Sequence, residues 1–327
     1  MSFLSNLASK SELNEEVREF LKFTWFGDLA CSSGPHYEFG ERRPFQEIVT
    51  DVEKGHSDDL VENLACWALK EGLPQELSIS SLFELCRRFQ GLIEEHYEQM
   101  PIRYSPDYPD LFDAETLDEY YRVIIDHSNC GGAMRSGLLG YGGVSDRDHL
   151  ALVAMTHLHP EAVSGAFAVA YAVRAAKEGS SAETIREEAI GGAHAGLAAA
   201  EALIAESDYP LPSIGGIAER MERVFAADDP LWSVEDMEAE GIETHFVIPA
   251  ALLLALRVVE RPPASPLRYL VEETIAIGGD PDTIGSISMG VTGAYLGESL
   301  STEIDAVLVE YDFDPALVPP FLETPLG

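Results

Sequence analysis

Apolar residues in this chain recur at three- and four-residue spacing and almost nowhere alternate one by one. A period near 3.6 puts such residues on one face of a helix, whereas a half-buried strand needs a period of two. Leu60, Leu64, Trp67 and Ala68 share a face of a helix that the spacing starts near Ser57. Leu82, Leu85, Phe89 and Leu92 do the same further on. Alanine-rich runs follow at 162–176 and 189–205. Alanine is the best helix former, and rows of small side chains let helices pack closely. Helical segments at 246–259 and 283–300 complete the pattern. The expectation is an all-α fold, a single compact many-helix domain.

Glycine and proline cluster at 28–43, 101–109, 129–143, 210–216, 261–266 and 278–281, which read as loops between helices. None is long and polar enough to be a domain linker. Residues 1–23 read as an N-terminal helical extension and 24–327 as the domain proper. At 327 residues, 46% of them hydrophobic, the chain is long enough to bury a full core.

Charge narrows the partners. Fifty-seven acidic residues face 21 lysines and arginines, a formal net charge of −36. A phosphate backbone would be repelled by that field, so direct nucleic-acid binding is not expected. The acid excess reads first as a solvated surface and second as attraction for a basic protein partner. No apolar run reaches the roughly 20 residues of a membrane span, and residues 1–20 lack an apolar signal core. Cys31, Cys66, Cys86 and Cys130 are scattered, with no Cys-x-x-Cys spacing. They read as reduced thiols of a cytoplasmic protein without a zinc site.

Two acidic clusters carry the chemistry. Ser57-Asp58-Asp59 opens one helix, and Gly278-Gly279-Asp280-Pro281-Asp282-Thr283 opens the last long one. Each alone reads as helix capping: Ser57 and Asp280 suit the N-cap, and Pro281 suits the first helical position. Together they supply only oxygen ligands, the set that Mg²⁺ takes. Four carboxylates are too many for one small ion and suit two sharing bridging ligands.

Three further segments stand out. Ser128-Asn129-Cys130-Gly131-Gly132-Ala133-Met134-Arg135 can point backbone N–H groups at an anion or form an ordinary tight turn. Arg135 touches a phosphate or caps a helix by a salt bridge, with nothing to choose between them. In Thr156-His157-Leu158-His159-Pro160 the two histidines do not share a helix face, so they do not form a metal pair, and Pro160 starts a helix. His157 reads as a ligand contact or a satisfied loop histidine. Asp28, after Trp25-Phe26-Gly27, reads as a tuned carboxylate, an N-cap or a surface charge.

In this order the motifs resemble the ADP-ribosylglycohydrolase family, which includes the dinitrogenase reductase-activating glycohydrolase and the ADP-ribosyl-acceptor hydrolases. The resemblance runs over about residues 20 to 300. It rests on Gly27-Asp28 with Tyr37-Glu38-Phe39, then Ser57-Asp58-Asp59, then Gly132-Ala133-Met134-Arg135. Thr156-His157 with His159-Pro160 follows, then Ile248-Pro249-Ala250-Ala251, and last Gly278-Gly279-Asp280-Pro281-Asp282-Thr283-Ile284. It implies an all-α fold and two Mg²⁺ ions, with Mn²⁺ sometimes in their place. Ser57, Asp58, Asp59, Asp280, Asp282 and Thr283 match the metal-ligand positions. Asn129, Cys130, Gly131 and Gly132 match the loop that cradles the ADP-ribose phosphates, and His157 lies where the family places a histidine near the nucleotide. Glu38 matches a glutamate that gates the metal centre in some branches.

The chain departs from the family pattern at Leu60, where a threonine is usual, at Pro281 between the two aspartates, and at Cys130, where the family's run places asparagine. All six ligand positions keep oxygen chemistry. The resemblance implies an ADP-ribosyl-protein hydrolase, with Asp59 and Glu38 as candidate acid–base groups and arginine as the slightly favoured acceptor. A second reading is an immunity protein that plugs a basic ADP-ribosyltransferase toxin, with residues 1–23 and the acidic surface suited to that role.

Overall fold

The computed structural model describes residues 7–8, 13–32, 43–50, 58–99, 108–207, 209–212, 216–230, 243–311, 318–319 and 322. In chain order its first helices are α1 (Glu15–Cys31), α2 (Phe45–Thr50), α3 (Asp58–Leu69), α4 (Ile79–Gln99) and α5 (Tyr108–Asp113). Then come α6 (Leu117–Asp126), α7 (Gly131–Met134), α8 (Ser136–Tyr141), α9 (Asp146–Ala154) and α10 (Pro160–Lys177). The remainder are α11 (Ala182–Ala205), α12 (Ile217–Ala227), α13 (Thr244–Glu260), α14 (Pro266–Ile277), α15 (Pro281–Leu296) and α16 (Glu298–Glu310). Among the described residues there is no strand, only an isolated bridge between Asn129 and Glu243. The expected all-α class is what the structure has.

Two helices, α10 and α15, are buried almost all round. A helix that is apolar on every side must be enclosed by others. α10 packs against α7, α8, α11, α13 and α15, while α15 packs against α1, α13 and α14. Alanines supply most of the small surface of α10, but glycines set the closest approaches. A Cβ on Gly196 or on Gly192 would lie 2.6 Å from the carbonyl oxygen of Val163 or Phe167 respectively. The crossing of α1 and α15 is tighter still, because glycine meets glycine. A Cβ on Gly285 would lie 2.6 Å from the Gly27 carbonyl oxygen, and one on Gly27 would run into the Gly285 carbonyl. Further along, Gly293 leaves room for the Phe23 ring.

Local chemistry starts and stops these helices largely as the residue types suggest. Asn14, Ser145 and Ser181 accept backbone N–H bonds as N-caps, and Thr116 with Glu119 forms a capping box. Pro160, Pro266 and Pro281 open α10, α14 and α15.

Several expectations change. The segment 283–300 is not one helix, since Gly297 at φ 54° ends α15 and α16 begins at once. Residues 28–31 are not loop, for α1 runs on through Cys31. The boundary between residues 23 and 24 falls inside α1, and Phe20, Leu21 and Phe23 are core. The described part of the N-terminal stretch thus belongs to the main body. Tyr108 and Pro109 belong to α5 rather than to a loop. Ala68 and Leu92 are only half-buried, and Ile93 takes the core position beside Leu92. The four cysteines are free and buried, and no described helix is long and apolar enough to cross a membrane.

The glycine crossing yields a test. Gly285→Ala must move backbone, and overpacking of this kind costs about 1–3 kcal/mol. Gly191 on α11 faces open space, so Gly191→Ala should gain up to about 1 kcal/mol from helix propensity. Urea unfolding of both variants checks the contrast; equal midpoints would show that the glycines do not set the crossing.

Candidate active site

Four stretches far apart in sequence meet: the start of α3, the turn between α6 and α7, the turn between α9 and α10, and the turn between α14 and α15. At the last, Gly278 (φ 73°) and Gly279 (φ 78°) both adopt the left-handed conformation that glycine takes without strain. They reverse the chain from α14 into α15 and present Asp280. Asp280 occupies the N-cap position of α15, yet its side chain does not cap. Its carboxylate accepts instead from the Cys130 thiol at 3.0 Å, across 150 residues.

That contact joins the last acidic motif to the glycine segment. Asp280 and Thr283 are buried beside Cys130, and Asp59 from the first turn of α3 is close enough to act on the thiol. The thiol is pushed well above its ordinary pKa by burial first, then by Asp280, with Asp59 adding to it. The local field is therefore negative. A second acidic pair sits at the glycine crossing of α1 and α15. There Asp28, inside α1 and 1% exposed, and Asp282 both raise the pKa of the buried Cys31 thiol, after burial itself. Asp28 is thus neither an N-cap nor a surface charge. Asp282 is half-buried, and its Oδ1 accepts from the Thr283 N–H at 2.9 Å.

The described oxygen donors, Asp59, Asp280 and Thr283, are of the kind that a hard cation takes, and packing carboxylates this deeply favours a compensating positive charge. They fit a divalent ion by donor chemistry. They do not form a full cage by themselves: among the described residues no group of three or more His, Cys, Asp or Glu side chains is arranged to hold a metal. Ser57 and Glu38 lie outside the described residues, and of Asp58 only the helical backbone is described.

The glycine segment rests on a buried hydrogen-bonded chain. Asn129 Oδ1 accepts from the Gly131 N–H at 3.2 Å and from His157 Nε2 at 2.8 Å. Because an amide oxygen only accepts, His157 carries its proton on Nε2. Its Nδ1 then accepts from the Thr156 hydroxyl at 2.7 Å. The Thr156 oxygen accepts in turn from the Arg135 guanidinium. Arg135, fully buried, also pairs with Glu62 at 2.6 Å, and Glu62 accepts from the Tyr108 hydroxyl at 2.8 Å. Burial pushes the Glu62 carboxyl up, opposed by the Arg135 charge and by hydrogen bonds from Tyr108 and Arg135.

Arg135 is therefore the inward partner of an α3 carboxylate: of its two readings the salt bridge is present, and full burial keeps the guanidinium from a phosphate. His157 is fully enclosed, with both ring nitrogens bonded to protein. Gly131 and Gly132 lie directly over its ring: Cβ atoms there would come 2.9 Å from Nε2 and 3.3 Å from its Cβ. From the other side Thr244 pins the turn. Its hydroxyl bonds the Ser128 and Asn129 carbonyls at 2.6 and 2.7 Å. The roles of Glu62 and Thr244 carry no sequence signal, and the Thr156-His157 motif gives no sign of the bond to Arg135. Their partners lie 73, 21 and 115 or more residues away, and none sits in a spacing that a linear motif records.

The buried histidines predict a pH dependence. Desolvation, the largest cause in each, lowers the pKa of His149 from 6.5 to about 3 and that of His157 well below 6.5. Both rings are neutral in the fold and gain a proton near pH 6.5 when unfolded. The unfolded chain thus binds more protons as pH falls below 6.5, and stability falls with it, by up to about 1.4 kcal/mol per pH unit for each ring. His149 stacks on Phe167 at 4.5 Å, so His149→Phe keeps an aromatic ring there. Urea titrations between pH 7 and 5 should show a shallower pH slope for His149→Phe than for wild type. An unchanged slope would mean that His149 is charged in the fold.

Comparison with known proteins bears on this arrangement. The family model for ADP-ribosylglycohydrolase matches residues 42–309. ADP-ribosylhydrolase ARH3 of Mus musculus is 31% identical over 188 residues, covering 51% of this chain and 49% of the mouse protein. The protein of the same name from Bos taurus is 30% identical over 184 residues, with the same coverage. Each match thus spans about half the length of these relatives. A solved structure described as an ADP-ribosylglycohydrolase-related protein complex superposes with a TM-score of 0.56. It covers 90% of this chain and 96% of its own, at 18% identity, and so speaks for the fold.

Proposed function

The chain belongs to the ADP-ribosylglycohydrolase family, and on that premise we propose that it hydrolyses the glycosidic bond joining ADP-ribose to a modified protein side chain. The observation that carries the proposal is the Cys130–Asp280 contact, with Asp59 and Thr283 around it. Through it, acidic groups from both ends of the chain stand beside the glycine turn. Carboxylates alone would repel a nucleotide diphosphate, so the reading includes two Mg²⁺ ions, or Mn²⁺ in their place. Ser57, Asp58, Asp59, Asp280, Asp282 and Thr283 would hold them. When bound, they would supply the positive charge that fixes the ribose oxygens and a water.

The protein groups divide the remaining work. Within the turn Asn129, Cys130, Gly131 and Gly132 the Gly131 N–H is taken by Asn129 Oδ1, and the rest of that backbone is the proposed seat of the diphosphate. His157 fixes that backbone from beneath. The bond breaks through an oxocarbenium-like transition state, which needs an acid for the leaving group and a base for the water. Asp59 and Glu38 are the proposed pair. Unlike serine, arginine presents a cationic guanidinium. The chain's net charge of −36 favours it electrostatically, so arginine is the proposed substrate side chain.

A release assay tests the proposal. Wild type with Mg²⁺ should free ADP-ribose from an ADP-ribosyl-arginine peptide faster than from an ADP-ribosyl-serine peptide, and a chelator should stop it reversibly. Asp282→Ala should lose at least about 100-fold in turnover while melting within a few degrees of wild type. Wild-type turnover by Asp282→Ala would remove the metal assignment. Faster release from the serine peptide would overturn the acceptor.

A further inference from the structure

We propose that the cavity between the starts of α4 and α6 and the end of α11 is a docking site for a basic segment of the protein that carries the ADP-ribose, taking one arginine and a neighbouring apolar side chain of that segment. The inference goes beyond the proposed reaction. It rests on that reaction only for the identity of the partner, because the binding itself needs no catalysis.

The cavity holds about 420 Å³, within the roughly 300–1,000 Å³ common for binding pockets. Ile79 and Leu203 are its buried apolar lining, and Asp118 and Glu206 are exposed carboxylates on it. One wall is pinned. The Tyr209 ring stacks on Tyr121 at 3.7 Å, with 14° between the planes, and its hydroxyl donates to Asp118. The Tyr121 hydroxyl in turn bonds the Pro210 carbonyl at 3.4 Å. Asp118 and Tyr121 are three positions apart and share a face of α6, so the segment after α11 is fastened to that helix at both. A wall held in this way needs little ordering when a partner arrives.

Charge and exposure select the occupant. Among the described residues no lysine or arginine forms an ion pair with Asp118 or Glu206. Arg122, one turn on from Asp118, acts on Glu119 instead. The end of α11 adds its partial negative charge. The starts of α4 and α6 have the opposite sign, but the Ser78 hydroxyl accepts from the Ser81 N–H, and Thr116 with Glu119 caps α6. Leu117 and Leu211 are two of the three exposed large apolar side chains among the described residues. One adjoins Asp118 and the other follows Tyr209 by two positions, so exposed apolar surface and unpaired carboxylates coincide here. An arginine suits such a place better than a lysine, since its planar guanidinium pairs with carboxylates and lies flat on aromatic rings. The cavity also lies within reach of the candidate active site. Asp118 and Asp126 are the two ends of α6, about 12 Å apart along the axis, and the glycine turn follows. An extended peptide crosses that length in about four residues.

The test measures binding of unmodified peptides to the full-length protein by fluorescence anisotropy, so no ADP-ribose is involved. A peptide with arginine beside leucine should bind saturably. Asp118→Asn combined with Glu206→Gln should weaken it about tenfold, and replacing the peptide's arginine by glutamine or its leucine by glycine should weaken it as well. Glu183→Gln combined with Glu187→Gln removes the same charge near the other end of α11 and should leave binding nearly unchanged. In the release assay, adding the leucine–arginine pair to an ADP-ribosyl-arginine peptide should lower KM with little change in kcat, and Asp118→Asn with Glu206→Gln should abolish that gain. Equal weakening by the two charge pairs would reduce the effect to general attraction by an acidic surface and overturn the docking site. Undiminished binding of the leucine-free peptide would overturn it too. Self-association that Leu211→Ser disperses would give the cavity to a second copy of the chain. Specific peptide binding by a wild type that releases no ADP-ribose would overturn the hydrolase reading and leave the docking site standing.

Discussion

The placement of the acidic groups at the candidate site depends on how closely α1 and α15 approach. Two backbones touch at Gly27 and Gly285 because neither residue has a side chain to hold them apart. One residue beyond Gly27 stands Asp28; three before Gly285 stands Asp282. The contact therefore brings together two carboxylates that are more than 250 positions apart and encloses them around Cys31. A single Cβ at the crossing would widen it and spread the acidic groups. The close packing that glycine permits is thus a condition for the site as well as for the core.

A second constraint is the cost of buried charge. This chain places Asp28, Asp59, Glu62 and Asp280 away from solvent. Burying a charge is unfavourable unless something pairs with it. Glu62 finds Arg135, a compact ion pair completed by Tyr108. Removing one member of such a pair usually costs about 3–5 kcal/mol, because the other is left charged and enclosed. For the carboxylates beside Cys130 and Cys31, divalent ions are the compensation that the proposed function supplies. With such ions bound, the acidic density of the chain would become, at one place, a cation trap that reverses the local sign.

Much of the fold was legible because helical periodicity is a local property. The alanine runs became α10 and α11, and the proline-led starts at Pro160 and Pro281 fell where N-terminal chemistry puts them. Local signals failed where tertiary packing competes with them. Asp28 sits among polar and glycine residues that look like loop, yet the chain continues helically because that turn is buried against α15. Gly297 lies inside what the spacing reads as one helix, 283–300, but its positive φ ends α15. Residues 1–23 read as an extension, yet Phe20, Leu21 and Phe23 are core.

The sequence by itself determined the helical class, the caps, the candidate acidic and glycine motifs and the family, since each is written in residue types at short spacing. Only the tertiary structure decided what those motifs touch. It turned Asp280 from a presumed cap into the partner of Cys130, took Arg135 away from any phosphate and gave it to Glu62, and enclosed His157 between Thr156 and Asn129. The reason is physical. A hydrogen bond or ion pair in the interior is chosen by which groups the packing leaves within about 3 Å of each other, and that distance is a property of the folded chain, which spacing along the sequence does not encode.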